Sequence, residues 1–560
     1  MFSSAWLDDY LTIVPRGLQD VVMDLLPRQI RENSAGQENV TVQDMQIIGE
    51  DPTFDTAHLK ELRDRLGKAA AKRERKRRKL DTDSQQIASS NTFKQRTTLH
   101  GSIFDAHSNR HVALGYDQKR ASEILYSVPG ANAGTVWLRF ATNATPHSVA
   151  ACRCIGPLLA LVHVYQTPDR SSASMETVLQ DLRVTSSSIT EWDTALAQWQ
   201  RHRNISPHGA VKYRCSCVRD DSKKYPYARH ELLNHAVEYL RPSGVTDTWK
   251  VSLNDFDMEI VWLFRPWSSV IAISLRDPVQ VGASSFEKGY ALPPDITTPY
   301  LQSHGQSNIV RLRPTTAQLL LHMAKLQEGE TVVDPCVGIG TIVMECLHLQ
   351  TPKHLIAMGG DLELKDSFLR SIAVDYETQT RRLLATGTQT AATRHHATLC
   401  AWDATTLPLA SASVDAIVSD LPFGQTCLSS SQLHQLIPLM LNEFARVLKP
   451  STGRMVLLCG NPDPLLDALQ RGNELSENAS DDDDDDDNED DATNRHATLW
   501  ELPVPTCRPV NIGGHQVWVL RVQRGGSAKA ATTSTHHALS KLRNYHAKRD
   551  LRRKQQLPQR

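Results

Sequence analysis

Between about Leu312 and Gln523, segments with helical spacing of apolar residues alternate with short, uniformly apolar segments. The expected helices are Thr316–Lys325 and Ile339–Leu349, and the expected strands are Thr331–Asp334, Leu355–Asp361, Val414–Ser419 and Met455–Cys459. Such alternation predicts an α/β domain built on a doubly wound parallel sheet. The end of the domain differs, because Glu501–Pro505 and Val517–Val522, joined through Asn511–Gly514, favour a terminal antiparallel hairpin.

Two further regions with strand and helix patterns precede this domain. In the first, strands are expected at Tyr10–Val14, Val136–Phe140 and Leu158–Tyr165, and an amphipathic helix at Leu18–Leu25. The second covers about 200–280, with strands at Ala210–Cys217, Trp249–Leu253, Met258–Phe264 and Val270–Leu275 and a helix at Glu231–Leu240. This order predicts a small α+β domain.

Three segments are dominated by charged or polar residues, and we expect them to lack regular structure: about 66–95, about 472–495 and 525–560. The basic run Lys72–Lys79 is open to three interpretations, namely a solvated linker or helix, a nuclear import signal, or an arm that contacts RNA. The stretch Asp481–Asp491 contains ten acids, without which the formal charge would be +9 instead of −1. The remainder of the chain is therefore basic enough to suit a polyanionic partner.

Hydropathy and cysteine spacing limit the class of protein. The chain has no run of 18 or more apolar residues, so we expect no membrane span. Met1–Asp9 contains acids where a signal peptide would be basic, which predicts an intracellular protein in the cytoplasm, the nucleus or both. The pairs Cys152/Cys154 and Cys215/Cys217 lack the spacing of a zinc site, so we expect reduced cysteines in cores and no metal.

A glycine-containing turn follows the first strand of the predicted parallel sheet. Asp334 and Pro335 end the strand, Gly338 and Gly340 form a G-x-G turn, and Thr341 opens the next helix. Glycines there allow a ligand to approach the backbone closely, although a lone G-x-G also occurs in plain turns. An acid in front of the glycines suits a ligand that carries a positively charged amino-acid group.

Two further acids occupy comparable places in the sheet. Asp361, followed by Leu362, ends the next strand, where a carboxylate can accept hydrogen bonds from ribose hydroxyls. Asp403, followed by Ala404, precedes the fourth strand, where a side chain can meet an exocyclic adenine amine. Because ligands of open α/β sheets bind at the carboxyl ends of strands, this pattern favours S-adenosylmethionine over a nicotinamide cofactor.

The fourth strand ends in Asp420, Leu421, Pro422 and Phe423, which form the candidate reaction site. A base amine is a poor nucleophile, because its lone pair is delocalised into the ring. A carboxylate and the backbone carbonyl before a proline can each accept an amine N–H, which orients the lone pair and offers a route for the proton. Phe423 offers a face on which the base can stack. The alternative is an ordinary strand-to-loop turn with Phe423 in a core.

A basic and aromatic loop in the second region supplies candidate RNA contacts. They are Arg219, Lys223, Lys224, Tyr225 and Arg229.

Several of these motifs together resemble the THUMP-domain guanine-N2 methyltransferases of RNA, in particular the tRNA-modifying eukaryotic branch. The motifs are Leu312–Ala317, Asp334–Thr341 with Glu345, Asp420–Gly424 and the closing Val510–Leu520. The resemblance is strong over the predicted α/β domain and weaker upstream.

The resemblance implies a domain plan and a fold. Residues 1–200 would be a ferredoxin-like region with the basic insert at about 66–95, and 201–285 a THUMP module that binds RNA. Residues 300–524 would form a Rossmann-like S-adenosylmethionine-dependent methyltransferase domain with the acidic insert at about 472–495, followed by a basic tail at 525–560. Pro314 and Thr315 would lie near the methionine part of the cofactor.

The resemblance also implies an activity and a partner. The expected reaction is methylation of the N2 atom of a guanosine in the acceptor stem of tRNA, giving N2-methylguanosine. A small zinc-binding activator subunit would cover an exposed sheet edge. Two alternatives stay open: the same chemistry on a spliceosomal small nuclear RNA, and a non-catalytic RNA-binding protein on a methyltransferase scaffold.

Overall fold

The structure is a computed structural model of the 560-residue chain. It describes residues 7–34, 37, 39–48, 102–105, 110–113, 135–168, 170, 172–205, 211–219, 225–242, 248–275, 312–338, 340–362, 394–422, 430–478, 499–501, 507–512 and 515–526. The predicted basic insert at 66–95, most of the acidic insert and the tail beyond 526 lie outside these residues.

The N-terminal half contains one eight-stranded sheet, here called the N-terminal sheet, in the order β2-β5-β1-β6-β10-β9-β7-β8. Its strands are β1 (Asp8–Pro15), β2 (Val42–Ile48), β5 (Thr135–Thr142), β6 (Leu158–Gln166), β7 (Val211–Arg219), β8 (Trp249–Val251), β9 (Met258–Phe264) and β10 (Ser268–Ser274). A separate hairpin pairs β3 (Ser102–Asp105) with β4 (Arg110–Ala113). The helices are α1 (Gln19–Asn33), α2 (Pro146–Ala150), α3 (Met175–Ser186), α4 (Trp192–Arg203) and α5 (Arg229–Ala236).

The two regions predicted at 1–200 and 201–285 share this one sheet. Strand β10 pairs antiparallel with both β6 and β9, and thereby joins the strands of the two regions. Every residue of β9 and β10 is buried, as expected for central strands covered on both faces. The division into ferredoxin-like and THUMP units therefore stays a proposal, within a continuous sheet.

The C-terminal sheet has the order β13-β12-β11-β14-β15-β18-β16, and β17 also pairs with β18. Its strands are β11 (Glu330–Asp334), β12 (His354–Asp361), β13 (Arg394–Ala401), β14 (Ala416–Asp420), β15 (Arg454–Cys459), β16 (Trp500–Glu501), β17 (Cys507–Ile512) and β18 (His515–Arg524), and its helices are α6 (Pro314–Met323), α7 (Thr341–Cys346), α8 (Ser430–Val447) and α9 (Asp463–Asn478). Strands β11 to β15 pair in parallel, and β18 runs antiparallel to β15. The predicted doubly wound α/β fold with a terminal antiparallel hairpin is confirmed.

Two details of the predicted C-terminal domain were wrong. Strand β17, Cys507–Ile512, pairs with β18 up to Ile512 opposite His515, so Asn511 and Ile512 belong to a strand and not to the predicted connection. Of the predicted arm Glu501–Pro505 only Glu501 is described, and it pairs with Gln523 of β18. Helix α9 continues to Asn478, into the segment expected to lack structure from 472. Hydrogen bonds between Asn473 and the backbone of Trp500, at 2.7 and 2.9 Å, hold this end of the helix.

A buried ion pair connects the two halves of the molecule. Arg153, from the loop before β6, donates to both carboxylate oxygens of Glu345 on α7 at 2.6 and 2.8 Å. Gln318 of α6 also donates to Glu345 at 2.9 Å, and Gln29 of α1 donates to Gln318 at 3.2 Å. Burial alone would raise the pKa of Glu345, but the charge and hydrogen bonds of Arg153 outweigh it and lower the pKa. A largely buried charge pair thus links the two halves.

None of the helices in the described part of the chain is long and apolar enough to cross a membrane. The cysteines of both C-x-C pairs are buried free thiols.

The ion pair predicts a large effect of removing one partner. Glu345→Ala should destabilise the protein by about 3–5 kcal/mol, because it removes the buried carboxylate that binds the Arg153 guanidinium through two hydrogen bonds. The shift of the urea unfolding midpoint measures this effect. The double variant Arg153→Met/Glu345→Leu should recover most of the lost stability. The control is Glu176→Ala, on an exposed turn of α3. Equal midpoints for Glu345→Ala and the control would contradict the assignment.

Candidate functional site

The order of strands in the C-terminal sheet reverses between β11 and β14. From β11 the chain builds outward through β12 and β13 on one side, and β14 starts the other side next to β11. Helices of successive crossovers diverge at such a point, which leaves a crevice at the carboxyl ends of the two strands. The crevice is bounded here by Asp334 at the end of β11 and Asp420 at the end of β14.

Asp334 is buried, with 2% of its surface exposed. Its Oδ1 accepts hydrogen bonds from the hydroxyl of Ser419 at 2.7 Å and from the backbone N–H of Cys336 at 3.2 Å. These two bonds lower the pKa of Asp334, but burial outweighs them and raises it to about 8. The negative charges of Asp420 and Asp361 add to the rise. Asp420 and Asp361 thus act electrostatically on Asp334, and a cationic ligand beside Asp334 would favour its charged form.

The G-x-G turn is tied to the neighbouring strand β12. Gly338 and Gly340 adopt positive φ angles of +52° and +85°, a backbone region that favours glycine. The N–H of Gly338 donates to Oδ2 of Asp361 at 3.1 Å, and the N–H of Val337 donates to the carbonyl of Gly360 at 2.9 Å. The turn and the end of β12 thus form one rigid edge of the crevice.

Trp402 closes the outer side of this edge. Its indole N–H donates to the carbonyl of Pro335 at 3.1 Å, and its ring packs against Gly360. A Cβ atom on Gly360 would lie 2.4 Å from that ring and 2.5 Å from the Cys400 carbonyl oxygen, so only glycine fits at this strand position.

The remaining predicted cofactor residues lie around the same edge. Leu362 directly follows Asp361, and 54% of its surface is exposed, which is high for a large apolar side chain. Asp403 follows β13, and its Oδ1 accepts hydrogen bonds from the backbone N–H and the hydroxyl of Thr405 at 2.8 and 2.7 Å. Ala404 lies within this turn. These bonds hold the Asp403 carboxylate in a local turn, and its contact with an adenine amine stays a prediction.

Three other predicted residues lie at helix starts. Pro314 and Thr315 open α6. The N–H of the first helical residue has no hydrogen-bond partner within the helix, so proline fits at this position. Thr341 opens α7 and is buried.

Asp420 is the most unusual residue of the crevice. Its Oδ1 is buried and has no hydrogen-bond partner among the described residues. Burial raises the pKa of Asp420 to about 7. The neighbouring N–H of Leu421 donates to the carbonyl of Leu458 on β15 at 2.9 Å, so the sheet holds the chain at this point. A buried acid that lacks a structural partner and faces a crevice is typical of a functional group.

Pro422 is partly buried beside Leu421, and Phe423 lies outside the described residues. The structure therefore brings together Asp334, Asp361 and Asp420, and it places Asp403 at the end of the adjacent β13. Their roles stay predictions. Sequence reasoning missed Ser419, although a polar residue inside the apolar strand Ala416–Asp420 is a usable signal.

The predicted RNA contacts are only partly described. The guanidinium of Arg219 lies 4.7 Å from the ring centre of Tyr225 and donates to the carbonyl of Tyr227 at 3.0 Å. The Tyr225 ring in turn packs 5.5 Å from Phe264 of β9, so both residues have packing roles. Arg229 opens α5, and Lys223 and Lys224 lie outside the described residues.

The C-terminal domain has recognisable relatives. Residues 306–479 match the family model UPF0020, described as the RMKL-like methyltransferase domain. The domain is therefore similar to known methyltransferases. The mouse protein "tRNA (guanine(6)-N(2))-methyltransferase THUMP3" is 27% identical over 222 residues, which is 38% of this chain and 37% of the relative. The bovine "U6 snRNA (guanine-N(2))-methyltransferase THUMPD2" is 37% identical over 147 residues, 26% of this chain and 25% of the relative.

The chain thus aligns with little more than a third of the length of these relatives. Among solved structures, TrmN from Thermus thermophilus matches with a TM-score of 0.45 and 19% identity, covering 76% of this chain and 98% of its own. A possible methylase from Clostridium difficile 630 matches with a TM-score of 0.45 and 12% identity, covering 94% and 100%.

The close approach at Gly360 predicts that Gly360→Ala is damaging. The added methyl group must displace Trp402 or the backbone of β13, at a cost of about 1–3 kcal/mol. Thermal unfolding followed by tryptophan fluorescence measures the loss and the change around Trp402. The matched control is Gly526→Ala, where the nearest atom is the movable Ser451 hydroxyl at 3.3 Å. Unfolding midpoints that agree for the two variants would show that the packing is looser than described.

Proposed function

We propose that the C-terminal domain transfers a methyl group from S-adenosylmethionine to the exocyclic N2 of a guanosine in RNA, with tRNA as the first candidate. The observation that carries the proposal is the buried, unpartnered Oδ1 of Asp420 at the crevice shared with Asp334 and Asp361. The similarity of residues 306–479 to methyltransferase domains supports it.

The residues around the crevice fit this cofactor. The coupled carboxylates suit a molecule that is positively charged at both its sulfonium and its amino group. The two glycines with positive φ bring the backbone close to the crevice, and exposed Leu362 offers an apolar surface for an adenine ring. A nicotinamide dinucleotide carries a pyrophosphate, and this cluster of acidic side chains does not suit its negative charge.

Each candidate residue then has a task. Pro314, Thr315, Asp334 and Pro335 would hold the methionine end, with Gly338, Gly340 and Thr341 forming the turn beside it. Asp361 would accept hydrogen bonds from the ribose hydroxyls, and Leu362, Asp403 and Ala404 would contact the adenine. When bound, S-adenosylmethionine supplies a methyl group activated by the sulfonium.

Asp420 would act on the guanine amine. Its carboxylate accepts one amine N–H, and the backbone carbonyl of Leu421, before Pro422, accepts the other. These two bonds orient the N2 lone pair toward the methyl carbon. As the new N–C bond forms, Asp420 takes the amine proton. Phe423 would stack on the base after it leaves its helix.

The identity of the RNA follows from weaker observations. The names of the relatives specify tRNA for THUMP3 and U6 small nuclear RNA for THUMPD2. We place tRNA first because the upstream region follows the order of a ferredoxin-like and a THUMP unit, with Arg219, Lys223, Lys224, Tyr225 and Arg229 as its RNA contacts. Mass spectrometry of nucleosides in tRNA and small nuclear RNA from cells without the protein separates these substrates. A scaffold without catalysis would leave both unchanged.

The partner and compartment are part of the same proposal. Strand β13 has a neighbour on one side only within the described residues, so its other edge is where a small zinc-binding activator subunit would add. An RNA-modifying enzyme of this kind would work in the cytoplasm, the nucleus or both.

The assignment of Asp420 predicts separable effects on transfer and binding. Asp420→Ala should lower kcat for methyl transfer about 10²–10⁴-fold, because it removes the acceptor of the amine proton, and should leave cofactor affinity largely unchanged. Asp361→Ala should instead weaken cofactor affinity roughly tenfold or more, through lost charge-assisted hydrogen bonds. Transfer assays and calorimetric titration measure the two effects. Equal loss of both properties in Asp420→Ala would remove its assigned role.

The raised pKa of Asp420 predicts a pH dependence. The carboxylate must be deprotonated to accept the amine N–H, and its pKa is about 7, so kcat/KM should rise about tenfold per pH unit below 7 and level off above it. Asp420→Asn should show low residual transfer without this inflection. Persistence of the inflection in Asp420→Asn would assign it to another group, of which Asp334 is the first candidate.

A further inference from the structure

A second cleft lies between the two halves of the molecule. Its volume is about 760 Å³, and it is bounded by α1 from the N-terminal half, by α6 and the segment after α7, and by β17 and β18. It lies away from the crevice described above. The lining residue Lys325 precedes strand β11, and Arg454, close to Arg521, begins β15. Asp334 and Asp420 of the crevice lie at the opposite, carboxyl ends of their strands.

Polar contacts across the rim hold this cleft open in a defined shape. Arg508 of β17 donates to both carboxylate oxygens of Asp20 on α1 at 2.8 and 3.0 Å. His322 of α6 lies 2.7 Å from Oδ2 of Asp24 on α1. Asp20 and Asp24, two of the acids that line the cleft, are therefore engaged by the Arg508 guanidinium and the His322 ring of the opposite half.

Three cations that line the cleft have no such partner. Within the part of the chain that the structure describes, Arg28, Lys325 and Arg521 make no side-chain ion pair or hydrogen bond. One lining carboxylate, Glu32, faces them without an ion pair among the same residues. The cleft therefore has an excess of positive charge after its internal pairs are counted.

Arg521 is the most constrained of the three. It is half-buried on β18, opposite Val456 of β15. Burial lowers its pKa, and the positive charges of Arg508 and Arg454 lower it further. Arg454 is itself bound to Glu330 and to backbone carbonyls, so its position is fixed. An anion bound at Arg521 would offset the positive charges of the three arginines.

We propose that this cleft is a phosphate-binding site, with Arg521 as its central ligand and Lys325 and Arg28 at its mouth. Planar guanidinium groups bind phosphate oxygens with two parallel hydrogen bonds, and ammonium groups add a point charge. The phosphate could belong to an RNA backbone or to a small free anion, and the charge pattern is the same for both.

The first experiment uses the full chain and inorganic phosphate. Thermal unfolding is followed while phosphate replaces chloride at constant ionic strength, since a ligand of the folded state raises the midpoint in a saturable way. Arg521→Gln should weaken the apparent phosphate affinity roughly tenfold or more, the loss of a charge-assisted contact. Lys325→Gln should weaken it less, because this side chain is exposed. Arg183→Gln, on an exposed turn of α3, is the matched control and should keep the wild-type response.

The readout is the phosphate-dependent shift and not the midpoint itself, so a variant of lower stability still answers the question. A wild-type protein without a saturable shift, or an Arg521→Gln variant with the wild-type shift, overturns the proposal.

The second experiment identifies the source of the phosphate. RNA affinity is measured against salt concentration for the wild type and Arg521→Gln. A slope of log Kd against log salt that falls by about 0.7–0.9 in the variant assigns the site to an RNA phosphate. An unchanged slope, with the phosphate shift lost, assigns it to a small free anion. Neither arm measures methyl transfer, so the site and the proposed activity can fail independently.

Discussion

The hydrogen bond from Ser419 to Asp334, 2.7 Å long, joins the ends of the two strands on either side of the reversal in sheet order. It exists because β11 and β14 pair in parallel, with Val333 opposite Ile417. This pairing places Asp334 and Asp420 at the same edge, although 85 residues separate the bonded side chains. Asp334 ends strand β11, and the G-x-G turn follows it directly. The end of β12 pairs with this strand, and Trp402 binds the carbonyl of Pro335 just after it. The coupled acidic crevice is a consequence of that topology.

A second constraint acts between the halves of the molecule. Transfer between a bound donor and a base within a large RNA requires both to be held in a fixed relation. A continuous polar connection runs from α1 and the loop before β6 to α7, the helix that begins directly after the G-x-G turn. It consists of Gln29, Arg153, Gln318 and Glu345. A buried charge pair is a poor source of net stability, but it resists displacement because separating it leaves charges without partners.

Local patterns predicted much of this structure. Strand β9 has the bounds Met258–Phe264 that its apolar run indicates, and the acids at the ends of β11, β12 and β14 lie where alternation of strands and helices placed them. The features that were missed depend on contacts distant in sequence. Pairing of β6 with β10 merges two predicted regions into one sheet, and Asn473 holds the end of α9 through Trp500. Arg219 and Tyr225 are residue types common in RNA-binding loops. In the structure Arg219 packs on Tyr225, and Tyr225 packs on Phe264, a contact that sequence periodicity does not indicate.

The central claim concerns the atom that receives the methyl group. The most direct test incubates the full chain, with and without the proposed zinc-binding activator, with RNA from cells that lack the protein and with S-adenosylmethionine labelled in its methyl group. The RNA is then digested, and the labelled nucleoside is identified by mass spectrometry. The account predicts label in N2-methylguanosine. Label in any other nucleoside, or in none under both conditions, would contradict it.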